Sequence, residues 1–103
     1  MTEQADIKAQ LDAARAARAE YDALQAEVDR LVQTTYTARP CPRGVLLQAC
    51  RECGESFARM ERADLDVGKV SETTMDARYF AFWEYMFAVV GLARCLPVGE
   101  RDD

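Results

Sequence analysis

Cys50 and Cys53 form a C-x-x-C pair in a chain of 103 residues, and two more cysteines, Cys41 and Cys95, stand apart from it. Four thiolates could hold a structural zinc ion, but such sites usually draw paired ligands from both ends of the fold. Here only one pair exists. A thioredoxin-like dithiol would need a strand leading into a helix N-terminus, where the macrodipole lowers the thiol pKa. No strand pattern precedes Cys50, and the apolar periodicity puts both thiols on the buried face of a helix. Free cysteine packs there as a small hydrophobe. Core packing is therefore expected for Cys50 and Cys53. A zinc-stabilised module built on the four thiolates of Cys41, Cys50, Cys53 and Cys95 is the weaker alternative, and no cofactor is expected.

The remaining candidates for chemistry are fewer still. The chain has no histidine, which removes Ser-His-Asp and Cys-His arrangements and any imidazole metal ligand. Glu84 lies between Trp83 and Tyr85 but has no second acid beside it, so it is expected to face water or pair with an arginine at an interface. Asp64 opens an acidic stretch, yet Lys69 and Met75 occupy the places where a calcium loop needs glycine and glutamate. No phosphate-cradling or dinucleotide-binding glycine pattern occurs. An enzyme is not expected.

Charge narrows the partners. A net charge of −5 argues against general affinity for nucleic acid or anionic membranes. Residues 39–70 are relatively basic, and Arg43, Arg51, Arg59 and Arg62 are the candidate contacts of a nucleic-acid-associated regulator. Glu52, Glu55 and Glu61 interrupt them, so a helix face of mixed ion pairs is the preferred reading. The N-terminal stretch is acidic and lacks the basic and apolar regions of a secretory signal, which points to thiols in a reducing cytoplasm.

These residues need elements to hold them. The first 33 residues contain no proline or glycine and are rich in helix formers. Ile7, Leu11, Ala14, Ala17, Tyr21, Leu24, Val28 and Leu31 fall three or four apart, close to the heptad spacing of a coiled coil. A helix of about 30 residues would span about 45 Å, more than a compact domain of this size, so part of it should project or pair with another chain. Thr34 to Thr37 and the prolines at 40 and 42 then break the helix. A second seam runs through Leu46, Cys50, Cys53, Phe57 and Met60, with Gly54 inside it, either bending the helix or packing against another backbone. After a loop from Asp64 to Val70, Thr73 and Asp76 have capping-box spacing, and Pro97 marks the next stop. The expectation is an all-α, three-helix antiparallel bundle with a long, coiled-coil-like first helix. Its helices are placed at about 2–34, 44–65 and 73–95, in one domain with a flexible tail over 97–103.

The third helix carries the functional signal. Its apolar stretch, residues 79–93, is too short for a membrane span, contains Glu84 and is flanked by Arg78 and Arg94. Phe80, Trp83, Phe87 and Val90 make one stripe, and Phe82, Met86 and Val89 make another. A small bundle buries one wide stripe. The surplus suggests a partner or oligomer surface, for which Tyr79, Phe82, Trp83, Met86 and Phe87 are the candidates. The sequence is thus read as a small cytoplasmic protein-binding module, acting as an adaptor or inhibitor by steric occupation of a partner surface. A homodimer is expected, and the partner is not identified. Size and composition fit phage- or mobile-element-encoded antagonists among other regulators.

Overall fold

The computed structural model describes residues 3–37, 41–68 and 71–98. It contains three helices: α1 (Glu3–Thr34), α2 (Arg43–Asp66) and α3 (Glu72–Ala93). Among the described residues there is no strand. Arg39, Pro40, Lys69 and the tail from 99 onward, to which the turn and flexible-end expectations partly refer, lie outside these residues.

The helix ends show how local chemistry sets the boundaries. At the end of α1, the hydroxyls of Thr34, Thr35 and Thr37 donate to the carbonyls of Leu31, Val32 and Thr34, each at 2.7 Å. The Val32 and Thr34 carbonyls also accept the amides of Thr35 and Thr37 at 3.1 Å, so side chains and backbone together close the last turn. α2 runs to Asp66, one residue beyond the expected bound, and so takes in the start of the acidic stretch that also read as a loop. It stops at Gly68, whose φ of 71° is a left-handed conformation that an L side chain resists. α3 begins at Glu72, before the expected Thr73–Asp76 box. Its cap is Ser71, whose Oγ accepts from the Thr74 amide at 3.2 Å.

The core joins all three helices. Ala14, Val28 and Leu31 are buried on α1, with Ala17, Tyr21 and Leu24 packed at its margin. On α2 every seam position, Leu46, Cys50, Cys53, Phe57 and Met60, is buried. α3 contributes Phe82, Met86, Val89 and Ala93. At the centre one ring from each helix meets the others. Phe57 and Phe82 stack at 4.1 Å with planes 3° apart, and Tyr21 lies 5.4 Å from Phe57 and 6.0 Å from Phe82. Such pairs add about 0.5–1.5 kcal/mol each beyond the burial of their surface.

Polar links hold the helices in register. Along α1 and α2 the partners run in opposite sequence order, with Glu20 paired to Arg59, Tyr21 against Phe57, and Gln25 accepting from Cys53 Sγ. Tyr85 of α3 donates its hydroxyl to Asp29 of α1. Arg43, the first residue of α2, closes the far end. Its guanidinium donates to the carbonyls of Ala93 at 3.2 Å, Arg94 at 2.9 Å and Leu96 at 3.1 Å, while its amide donates to Pro97 at 3.0 Å. A cation there also complements the negative end of the α3 dipole.

The 32 residues of α1 make a rod of roughly 48 Å, and the molecule measures 55 × 26 × 23 Å. The first turns of α1 outrun α2, so the seam is uncovered at Ile7, which is exposed, and only half-covered at Leu11. The tight-packing reading of Gly54 is corrected: a methyl group added there would meet nothing within 4 Å.

Candidate functional site

α3 is apolar nearly all the way round, yet α1 and α2 cover only one of its sides. The stripe of Phe82, Met86 and Val89 turns inward. The other stripe is only partly covered: Phe80 is 71% exposed and Phe87 68%, with Trp83 and Val90 half-buried, and Tyr79 beside it is 53% exposed. Trp83 connects this surface to the core. Its ring centroid lies 5.8 Å from Tyr79, 5.5 Å from Phe87 and 5.9 Å from Phe82. Of the five candidate interface residues, the fold therefore brings Tyr79, Trp83 and Phe87 together at the surface. Phe82 and Met86 are core residues, because the i, i+4, i+7 step from Phe82 through Met86 to Val89 faces α2. Phe80 belongs to the exposed set instead.

Beside this surface a groove of about 570 Å³ runs between α2 and α3. Gly54, Ala58 and Glu61 line it from α2, and Met75, Tyr79 and Trp83 line it from α3. Glu61 belongs to a buried charge cluster that the sequence did not single out, whose other members, Asp64 and Arg78, do not line the groove. Glu61 and Asp64 are each only 5% exposed, and both face Arg78 of α3. Arg78 donates through both terminal nitrogens to Asp64 Oδ2 at 3.3 Å and lies 3.4 Å from Glu61 Oε1 without forming a hydrogen bond to it. Among the described residues neither Glu61 oxygen has a hydrogen-bond partner, and neither does the Trp83 indole Nε1. Burial pushes the Glu61 carboxyl above the usual carboxylate range; Arg78 and Arg18 oppose that shift and Asp64 adds to it. The signal for this cluster was the i, i+3 spacing of Glu61 and Asp64 with Arg78 one loop away. It was masked because Asp64 read as loop and Arg78 as the flank of an apolar run.

The cysteines do not converge. Cys50 and Cys53 are buried, Cys41 is half-buried and Cys95 is exposed, and all four are free. Among the described residues no group of three or more histidine, cysteine or acidic side chains is placed to hold a metal. Burial raises the Cys50 thiol and pushes Cys53 up to about 11, the latter helped by Cys50 and Asp29. Buried thiols held protonated are poor nucleophiles.

The four candidate nucleic-acid arginines are engaged within the fold. Arg43 is committed to the end of α3, Arg59 pairs with Glu20, Arg62 lies 3.5 Å from Asp66, and Arg51 donates to Gln48 at 3.2 Å. Glu84 is exposed. No helix is long and apolar enough to cross a membrane among the described residues. Compared with known proteins, the chain matches no family model, no curated protein and no solved structure.

Proposed function

We propose that this protein is a protein-binding module, an adaptor or inhibitor that acts by laying the outer face of α3 on a partner and occupying its surface. The observation that carries this reading is the exposure of Tyr79, Phe80 and Phe87, with Trp83 half-buried between them, on a helix otherwise packed in the core. Leaving these rings in water forgoes about 1.5–3 kcal/mol for each that could be fully buried. Large aromatics grouped on a surface are the residues that dominate interface cores. A contiguous apolar patch of this kind is the feature that marks interaction sites. The free thiols fit a reducing compartment.

A second copy of the chain is one occupant this face could take, and the uncovered seam of α1 around Ile7 would extend such a contact. The nucleic-acid reading draws less support, since its four arginines already have partners within the fold.

The test joins two measurements on the full chain. Sedimentation equilibrium gives the mass of the wild type and of Phe80→Ala and Phe87→Ala. Immobilised wild type and variants are then exposed to extract of the native host. The expected result is either a dimer that both variants dissociate, or a stoichiometric partner that only the wild type retains and that slows amide exchange along α3. A monomer whose retained proteins are the same for wild type and both variants would remove the proposal.

A further inference from the structure

The outer face of α3 carries a heptad seam of its own. Ala77, Phe80, Glu84, Phe87, Gly91 and Arg94 follow one another in steps of three and four, and all six are exposed. That is the spacing with which one helix packs along another. The core does not use it, since α3 turns the opposite stripe of Phe82, Met86 and Val89 inward. The seam also holds its own complements. Glu84 and Arg94 carry opposite charges, and among the described residues neither takes part in an ion pair. Gly91 supplies a separate observation. Glycine is a poor helix former, and nothing lies within 4 Å of where its Cβ would be, so packing within the chain does not demand it. Its effect is to leave a dent in the seam one turn beyond Phe87, a ring 68% exposed.

We propose that this face of α3 binds the same face of a second copy, antiparallel, with Glu84 opposite Arg94 and Phe87 seated over Gly91. Antiparallel helices set the a positions of one heptad seam against the d positions of the other. Ala77, Glu84 and Gly91 are of the first kind, and Phe80, Phe87 and Arg94 of the second. The register that pairs Glu84 with Arg94 therefore also pairs Gly91 with Phe87, and a two-fold axis makes each contact twice. Phe80 then lies at the end of the overlap, where Val98 is also exposed. Parallel helices would instead set Glu84 against Glu84 and Arg94 against Arg94. An antiparallel pair with one heptad more overlap would set Glu84 against Phe87 and leave Arg94 opposite Ala77. Charge and shape thus select the same occupant and the same register. The proposal names the occupant in the protein-docking reading and rests on it.

The contact runs for about four turns of helix, small for a stable dimer, so sedimentation equilibrium of the full chain should span about 10 μM to about 1 mM. The wild type should dimerise. Glu84→Arg and Arg94→Glu each set like charges together twice, and each should weaken association at least about tenfold. The double variant restores both pairs, as does an equimolar mixture of the two single variants, and both should associate like the wild type. A cross-link fixes the direction independently of these charges. Ala81 and Cys95 are exposed and flank the seam on one side, a heptad on either side of Ala88. Under a mild thiol oxidant, Ala81→Cys should give a disulfide-linked dimer through Cys95 of the other copy, and adding Cys95→Ser should abolish it. In a parallel pair the thiol introduced at 81 would join its own counterpart whatever stands at 95. A wild type that stays monomeric across the range overturns the proposal. So does a dimer that both single reversals leave intact, a double variant that folds but stays monomeric, or a cross-link that is absent or survives Cys95→Ser. If the wild type is monomeric while Phe87→Ala loses a stoichiometric host protein, the docking face stands and only the second copy falls.

Discussion

Phe82 and Phe87 are the same side chain five residues apart on one helix, and truncating each to alanine separates scaffold from surface. Phe82 is 5% exposed and stacks at 4.1 Å on Phe57 while touching Tyr21 and Trp83. Removing it opens a cavity where the three helices meet, at a cost of about 3–5 kcal/mol for a buried phenylalanine. At about 4–8 °C per kcal/mol for a chain of this size, the melting point should fall by at least about 12 °C. Phe87 is 68% exposed, so only about a third of the ~1.5–3 kcal/mol for full burial is at stake. The better helix propensity of alanine offsets roughly 0.5 kcal/mol of that. Phe87→Ala should therefore change stability by less than about 1 kcal/mol. Urea unfolding followed by circular dichroism, with equal slopes for both variants, gives the two numbers. A cost above about 2 kcal/mol for Phe87→Ala would place that ring in the core, and below about 1 kcal/mol for Phe82→Ala would dissolve the aromatic junction. Either result refutes the assignment of faces on which the docking proposal stands.

Other consequences are as direct. Gly54→Ala and Gly91→Ala meet open space, so each should stabilise the fold by about 1 kcal/mol in the same urea assay. The native state holds the Glu61 carboxyl above its ordinary value of 4.5, so it binds that proton more readily than the unfolded chain does. The resulting stability is complete below the unfolded value and is lost as pH rises through the folded one. Glu61→Gln should accordingly gain on the wild type as pH rises above 4.5, and a flat difference between their urea midpoints would contradict the burial of that acid. With a pKa of about 11, roughly one Cys53 thiol in a thousand is ionised at pH 8. A disulfide reagent should modify Cys95 at once and Cys53 only at the rate of unfolding, as read by mass spectrometry. Replacing Arg43 with methionine removes three hydrogen bonds to the end of α3, and at about 0.5–1.5 kcal/mol each the unfolding midpoint should fall clearly.

The helices were legible because their signals are local. The seams of α1 and α2 are written in steps of three and four, and the threonines and prolines between them have only one structural reading. The sequence could not show which of two stripes on α3 would face inward. Helix periodicity fixes the angle between Phe82 and Phe80 but not the rotation of the whole helix against its neighbours. That rotation is set by partners distant in sequence: Phe57 and Tyr21 against Phe82, Asp29 with Tyr85, and Arg43 at the helix end. Glu61 and Asp64 escaped for the same reason. A carboxylate on a helix is ordinarily solvated, and burial of these two is tolerated because Arg78, and for Glu61 also Arg18, approach from other helices.

That arrangement bears on function as well as on fold. A helix that is apolar all round belongs inside a larger core, and α1 and α2 are too few to enclose this one. One ion-paired arginine draws the start of α3 onto α2, a second clamps its end, and the buried stripe fills the space between them. Rotating α3 to hide Phe80 and Phe87 would pull Arg78 away from two buried acids, and stranding such charges costs about 3–5 kcal/mol. The outward rings are therefore held in place by the polar contacts rather than left over from poor packing. Among the described residues nothing covers Phe80 and Phe87, and the polar contacts that fix α3 keep them outside the core.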